Sequence, residues 1–346
     1  MMKWYQTPGN GHDVVISSRV RLARNLEEFP FSSKLDNELS SQVVETVRNA
    51  LSKLGNPLEE TNINSIPVKK QILVEDHIIS PDFCKENALE KVLFTDNNGN
   101  IAIMVNEEDH IRIQSIYPGF DLDKAYETAS LADDCISANA KIAFDEGLGY
   151  LTACPTNLGT GLRASVMLHL PAMCAYGYIK HLSSLMTKIG LTVRGIYGEG
   201  SEGTACMYQL SNQVTLGISE EDAIEKLKNA VNQIIAKERE MRNNLTSKDD
   251  YELADRLWRS YGTLKYARRL DTAEASRLIS NVRLGAVCGI IPELANINLT
   301  ELLFEIMPSH ISDKFSDANS ASSDSASKRD VYRASYIREK LSELAP

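Results

Sequence analysis

Five arginines and one run of acids carry the residue types that phosphate chemistry needs. Arg19 and Arg21 lie in Ser17-Ser18-Arg19-Val20-Arg21, Arg163 ends Gly159-Thr160-Gly161-Leu162-Arg163, and Arg194 precedes Gly195. Arg112 follows Asn106-Glu107-Glu108-Asp109-His110. A guanidinium stays charged at any relevant pH, and its forked donors match phosphate oxygens, so a set of them can hold a triphosphate without a Walker loop. Taken singly, each is as well explained by a surface ion pair. Three consecutive carboxylates are usually an exposed turn. Here they follow the apolar run Ile101-Ala102-Ile103-Met104-Val105 and precede an arginine, where alternation along a strand gives neighbouring acids different surroundings.

Two loops could complete such a site. Gly198-Glu199-Gly200-Ser201-Glu202-Gly203 has the spacing of a dinucleotide fingerprint, but a strand-like run follows it rather than a helix, and its two glutamates would repel a pyrophosphate. A loop that carries a carboxylate into a closing site fits better. Residues 154–163, rich in Pro and Gly, could present backbone amides and Arg163 to phosphate. Cys154 at its start is either part of that site or an inert small apolar residue.

Strands and helices must position these groups. Residues 69–212 read as strand-rich, with runs at 72–74, 92–94 and 101–105, and Asp96-Asn97-Asn98-Gly99 marks a hairpin turn. Runs at 191–197 and 204–210 predict two more strands flanking the glycine loop. Helices are predicted at 37–54, 122–144 and 219–242, the last with Ser219 and Asp222 at its start. Beyond Asn244 the pattern is helical, at 250–261, 272–284, 299–306 and 329–344, interrupted by a Ser/Ala/Asp-rich stretch at 316–327 with linker composition. The expected fold class is α+β, an antiparallel-sheet domain flanked by helices over residues 1–245, followed by a helical domain over 246–346.

Composition narrows the function. A chain of 346 residues with 43% hydrophobic content can bury a large core, and a net charge of −10 argues against general nucleic-acid or membrane-surface binding. No apolar run has the length of a membrane span, and the first residues lack the features of a signal peptide, so a cytoplasmic protein is expected. Six cysteines without a CxxC pair and six histidines without ligand spacing predict reduced thiols and no protein-bound transition metal.

Together, the Ser17–Arg21, Asn106–His110, Cys154–Arg163 and Arg194-Gly195 segments resemble the phosphagen kinases, the ATP:guanidino phosphotransferases, in kind and in order over about residues 11–242. Phosphagen kinases of small metabolites have a helical domain of about a hundred residues ahead of this body. Here the first motif already begins at residue 17, and a helical region with Arg329-Asp330-Val331-Tyr332-Arg333-Ala334 follows instead. That arrangement resembles the bacterial protein arginine kinases, whose RDxxRA motif forms a regulatory phosphoarginine pocket. Arg329 and Arg333, four apart on a helix, share a face suited to an anion, or belong to an ordinary charged helix.

The resemblance implies transfer of the ATP γ-phosphoryl group to arginine side chains, with magnesium carried on the nucleotide. Glu108 and Glu199 would clamp the guanidinium, Glu108 as base, while Glu107 orients it or assists the magnesium shell and Cys154 tunes the site. Carried over as nucleotide-binding are Ser17, Ser18, Arg19, Val20, Arg21, His77, Arg112, Arg163, Ala164, Ser165, Val166, Met167, Arg194, Gly195, Ile196, Tyr197 and Gly198. Arg329, Asp330, Arg333 and Ala334 would form the phosphoarginine pocket. The implied partners are proteins with exposed arginines, among them a heat-shock repressor, a zinc-containing activator, a Clp ATPase or protease in stress responses, and a second copy in a dimer. The rival readings are a kinase of free arginine or a similar small guanidino compound, and a phosphoarginine-binding adaptor without catalysis.

Overall fold

Alternating residues build the centre of the molecule. In the computed structural model, which describes residues 3–67, 69–196, 203–246, 251–295, 297–315 and 326–344, Ser17 to Arg21 lie within one long strand, β1 (Val15–Arg24). It runs mid-sheet among β2 (Glu59–Asn62), β3 (Val92–Thr95), β4 (Ile101–Val105), β5 (Ile111–Pro118), β8 (Leu162–His169), β9 (Leu191–Gly195) and β10 (Met207–Asn212). These eight strands are ordered β2-β3-β4-β5-β1-β8-β10-β9 with every neighbour antiparallel. A separate short hairpin joins β6 (Phe144–Asp145) and β7 (Gly149–Tyr150).

Because side chains alternate along a strand, the sheet has two unlike faces. Val20, Leu22, Ile111, Ile113, Leu162, Ala164, Val166 and Leu210 face a core supplied by α1 (Asn37–Leu51), α3 (Leu122–Ser137) and α6 (Glu220–Thr246). Two shorter helices, α4 (Pro171–Ala175) and α5 (Ile179–Lys188), cover its far end. Asp36 and Asp121 cap α1 and α3, and Ser219 Oγ accepts from the amide of Asp222 at the start of α6, as its sequence predicts.

The turn at Asp96–Gly99 forms as expected, closed by the Gly99 amide on the Asp96 carbonyl at 3.3 Å with Gly99 at φ 69°. Three local expectations are corrected. Residues 72–74 are not a strand: they lie in α2 (Lys69–Glu75), whose Leu73 and Val74 pack on a buried cluster around Ile78, Ile79 and Phe83. A three-residue apolar run has too little length to distinguish strand from helix by period. The helix expected over 122–144 ends at Ser137, and Phe144 opens the β6–β7 hairpin. Residues 204–206 form a kinked turn rather than strand, with Ala205 and Cys206 in the left-handed region at φ 59° and 55°, before β10 begins.

The helices beyond residue 250 have their own core. α7 (Tyr251–Tyr266), α8 (Thr272–Val287), α9 (Leu299–Glu305), α10 (Pro308–Phe315) and α11 (Ala326–Leu344) gather Leu253, Leu257, Leu264, Ile279, Val282, Leu302, Ile337 and Leu341 into one buried cluster. The seam to the sheet is also apolar: Phe304 of α9 stacks on Tyr5 at 4.6 Å and meets Trp4 edge-on at 4.9 Å. Of the linker-like residues 316–327, those numbered 316–325 lie outside the described residues, and Ala326 and Ser327 begin α11. Among the described residues no helix is long and apolar enough to cross a membrane.

Candidate active site

The face of the sheet turned away from the main core gathers the arginines. Register places Arg21 directly opposite Arg163 on β8 and Arg19 opposite Ser165, while Arg112 on β5 stands opposite Ala23, one step diagonal from Arg21. Arg194 on β9 is opposite Gln209 of β10, whose amide oxygen accepts from Arg19 Nη2 at 2.9 Å. Like charges facing one another across a ladder are destabilising. The electrostatics register this: burial, then the charges of Arg112 and Arg163, bring Arg19 down to about 10. Burial and the neighbouring arginines push Arg21 well below the usual guanidinium range, with Glu107 opposing the shift. Arg163 is lowered by burial, Arg194 and Arg112. Arg21 Nε is buried with no hydrogen-bond partner. A cationic patch holding an unsatisfied buried donor is an environment made for an anion with several oxygens.

The acids occupy the hairpin between β4 and β5. Asn106 takes φ 64°, which asparagine tolerates, and its amide donates to the carbonyl of His110 at 2.8 Å. This turn splits the three carboxylates. Glu107 is buried, and both its oxygens accept from Arg112 Nη1 at 2.6 Å while Ser80 Oγ donates to it as well. Burial opposes its charge, but Arg112, Ser80 and the Glu108 amide outweigh that and hold its carboxyl below the usual range. Asp109 accepts from Asn25 Nδ2 and from the Ala153 amide, each at 2.7 Å. The carboxylate of Glu108, exposed between them, has no hydrogen-bond or ion-pair partner among the described residues; partial desolvation and the charges of Asp109 and Glu107 raise its pKa.

Asp109 also fixes the second loop. By binding the Ala153 amide it sets Cys154 beside the acidic hairpin, and Cys154 Sγ lies 3.1 Å from Thr156 Oγ1. From there the chain must turn tightly to reach Arg163. Gly159 (φ 107°) and Gly161 (φ 62°) allow it, since a Cβ on Gly159 would lie 2.2 Å from the Thr215 carbonyl and one on Gly161 2.6 Å from that of Ala23. Arg24 holds the same loop from beneath, donating to the Thr160 carbonyl at 2.9 Å while pairing with Asp133 at 2.7 Å and Glu220 at 3.1 Å.

Residues 40–241 match the ATP:guanido phosphotransferase, C-terminal catalytic domain family, and residues 250–346 match the protein-arginine kinase McsB C-terminal domain. A protein-arginine kinase of Clostridium kluyveri is 44% identical over 346 residues, covering 99% of both chains. This chain belongs to the protein-arginine kinases of the ATP:guanido phosphotransferase family. As a member it is an ATP-dependent phosphotransferase. A second protein-arginine kinase, from Halothermothrix orenii, is 43% identical over 340 residues, 98% of this chain and 96% of its own. Among solved structures, the duplicated taurocyamine kinase from Schistosoma mansoni with bound transition-state-analogue components shares 28% identity at a TM-score of 0.61. That match covers 75% of this chain but only 38% of the duplicated one. Lombricine kinase, at 22% identity and a TM-score of 0.59 over 68% of this chain and 69% of its own, shares the fold.

In this chain the residues read from sequence divide by face. Arg19, Arg21, Arg112, Arg163, Arg194, Ser165 and Met167 share the arginine face, and burial together with Arg19 brings the nearby His77 down to about 3. Val20, Ala164 and Val166 point into the core on the opposite face, and Gly195 lies on β9 opposite Tyr208. Ser18 is buried between the Gly119 carbonyl and the Asp121 amide, each 2.9 Å away. The structure does not bring these side chains to the arginine face, whereas Ser17, buried in β1 opposite Met167, has the parity of Arg19 and Arg21 and lies on that face. Ile196 packs on the cluster around Met167 and Met207, whereas Tyr197, Gly198 and Glu199 lie outside the described residues. Among the described residues no group of three or more His, Cys, Asp or Glu side chains gathers to hold a metal.

Sequence reasoning passed over several residues that set this geometry. Ser80, Gln114, Gln209, Arg24 and Asp109 all bind a site residue or its loop, yet each stands outside the arginine and acid motifs or reads as a bystander within them. In the helical region, Arg329 is half-buried and Arg333 is fully buried, donating to the carbonyls of Ile306 and Leu270 and to Asp330 at 2.8 to 2.9 Å. Asp330 also pairs with Arg269 at 3.3 Å, and Ala334 lies in the helical core.

Proposed function

We propose that this protein transfers the γ-phosphoryl group of ATP to arginine side chains of other proteins. The observation that carries the reading is the buried, partnerless Arg21 Nε amid Arg19, Arg112 and Arg163, with the free carboxylate of Glu108 at the end of the adjoining hairpin. In the proposed reaction an acceptor guanidinium nitrogen attacks the γ-phosphorus in line, the N–P bond forms, and the bond to the β–γ bridging oxygen breaks to release ADP. Acceptor nitrogen needs a proton removed as it bonds, and Glu108 takes it. Glu107, held by Arg112 and Ser80, keeps Arg112 and the Glu108 amide in place. The arginine face binds the phosphates and stabilises charge on the transferring oxygens. Magnesium, carried on the nucleotide, supplies further charge neutralisation when bound. By the family resemblance Glu199 would clamp the acceptor guanidinium together with Glu108, and Cys154 would tune the site.

The role of Glu108 as base fixes the sign of one pH effect. A base works as the carboxylate, so kcat/KM falls as pH drops through the Glu108 pKa, and desolvation with two neighbouring acids raises that pKa. The acidic limb of the profile is therefore expected above the ordinary glutamate range. Glu108→Asp should retain a limb, and a profile flat down to the ordinary glutamate range would remove Glu108 as the base.

A protein acceptor, rather than a free guanidino compound, is supported by the full-length likeness to chains named protein-arginine kinases. Parallel assays with casein and with free arginine as acceptors test it. Phosphoryl transfer to casein at least tenfold faster in kcat/KM is expected, a margin of about 1.4 kcal/mol. Preference for free arginine would overturn the protein-substrate reading. We further propose two folding units, residues 1–245 and 246–346, supported by the separate helical core. Within the second, Arg329, Asp330, Arg333 and Ala334 would read phosphoarginine, with Asp330 already sharing the charge of Arg333. Marking of proteins, a heat-shock repressor among them, for a Clp-type protease under stress, a zinc-containing activator, a homodimer and a cytoplasmic location rest on the family resemblance alone.

A further inference from the structure

The segment Glu75-Asp76-His77 joins the arginine face to the helical region. At the end of α2 the chain reverses through His77, which takes φ 58°, a left-handed conformation that costs a non-glycine residue roughly 1 kcal/mol. Such a conformation persists only where its surroundings fix it. On the sheet side, Gln114 of β5, opposite Arg21, donates from Nε2 to the carbonyls of both His77 and Ile78 at 2.7 Å. Locally the His77 amide donates to the Val74 carbonyl at 3.0 Å and the Ile78 amide to the Leu73 carbonyl at 2.9 Å. Further support comes from the chain's N-terminus and from the helical region more than two hundred residues away.

Glu75 accepts from the backbone amide of Ser309 at 3.0 Å and from its hydroxyl at 2.9 Å, which anchors the first turn of α10. Asp76 is buried, and its Oδ1 accepts from His310 Nε2 and from the Tyr5 hydroxyl, both at 2.8 Å. Lys3 Nζ lies 3.5 Å from the other oxygen, and Trp4 Nε1 donates to the Asp76 carbonyl at 2.7 Å. Lys3 Nζ is also 3.3 Å from His310 Nδ1. An ammonium can only donate, so Nδ1 accepts and the proton that reaches Asp76 sits on Nε2. The ring of His77 itself meets Phe304 of α9 edge-on at 5.8 Å. Arg333 holds the same stretch from its far side, through the carbonyl of Ile306 at 2.8 Å, three residues before Ser309.

We propose that His310 is a positioning residue for nucleotide binding: acting through Asp76, it holds His77 beside Arg19 and Arg21, so that the helical region completes the ATP pocket. This rests on the reading of His77 as a nucleotide contact. Removing the His310 donor leaves a buried carboxylate one partner short and frees the reversal at His77, which should weaken ATP binding more than it slows the chemistry.

The test is steady-state phosphorylation of casein by the full chain at varied ATP, with His310→Ala, His310→Gln, His77→Ala and the double alanine variant. His310→Ala is expected to raise KM for ATP about tenfold, the worth of one hydrogen bond to a charged group, with a smaller change in kcat. Glutamine places an amide donor near the Nε2 position, so His310→Gln should restore KM to within about threefold of the parent. The double variant should be no worse than His77→Ala alone, since both act along one path. If His77→Ala raises KM while His310→Ala leaves it unchanged, the positioning role is overturned and the nucleotide role of His77 stands. If neither raises it, the reading of His77 fails as well. Should the alanine variant not fold, His310→Phe, which fills the volume without a donor, replaces it and is held to the same outcomes.

Discussion

Glu108→Gln is expected to lower kcat by about a hundredfold to ten-thousandfold, the range for loss of a positioned general base. Glu108 is the one acid of its hairpin free to act: Glu107 is engaged by Arg112 and Ser80, and Asp109 by Asn25 and the Ala153 amide. Glutamine keeps the shape but cannot take a proton, so KM for ATP should change little. Because Glu108 is exposed and forms no ion pair among the described residues, the free energy of unfolding should shift by no more than about 0.5 kcal/mol, as for surface substitutions generally. A matching loss of kcat in Glu107→Gln would be accompanied by lowered stability, because Arg112 would lose its buried partner. Equal kcat for Glu108→Gln and the parent would assign the base elsewhere.

Arg21→Met should have opposite effects on activity and stability. Arg21 faces Arg163 across the ladder, has Arg19 two residues away on the same face, and leaves a buried nitrogen unsatisfied. Methionine fills much of the volume without charge, so the protein without nucleotide is expected to unfold at higher temperature, a gain of about 1 kcal/mol or more. Activity should fall by about a hundredfold to a thousandfold in kcat/KM, as for loss of a preorganised donor to the transferring group. Calorimetry and initial rates on the same preparation check both signs. A destabilised variant with normal kinetics would make Arg21 a structural residue and remove it from the phosphate site.

Much of the arrangement was legible because it depends on period and on charge. The arginines fall at alternate positions of β1, and the same parity places Arg112, Arg163 and Arg194 on one face of neighbouring strands. That parity also separates Arg19 and Arg21 from Val20, and Arg163 from Ala164, so treating whole motifs as binding segments enlarged the site beyond the side chains that share a face. Three apolar residues at 72–74 fit a strand or one turn of helix equally well, and in the fold they belong to α2, with Leu73 and Val74 packed on the cluster around Ile78 and Phe83. Long-range partners such as Asp109 with Ala153, Arg24 with Thr160 and His310 with Asp76 leave no local pattern. They arise where the topology brings distant segments together. Arg333, whose spacing from Arg329 shows only a shared helix face, is buried because its fork meets two carbonyls that the packing of α8 through α11 supplies.

The most direct test of the central claim follows the phosphoryl group itself. The purified chain, incubated with magnesium, γ-labelled ATP and casein, should place label on casein that acid releases, because a phosphoramidate is acid-labile. Mass spectrometry should map it to arginine, and Glu108→Gln should slow its appearance by about a hundredfold or more. Acid-stable label on serine, threonine or tyrosine, or arginine label undiminished in Glu108→Gln, would contradict the account.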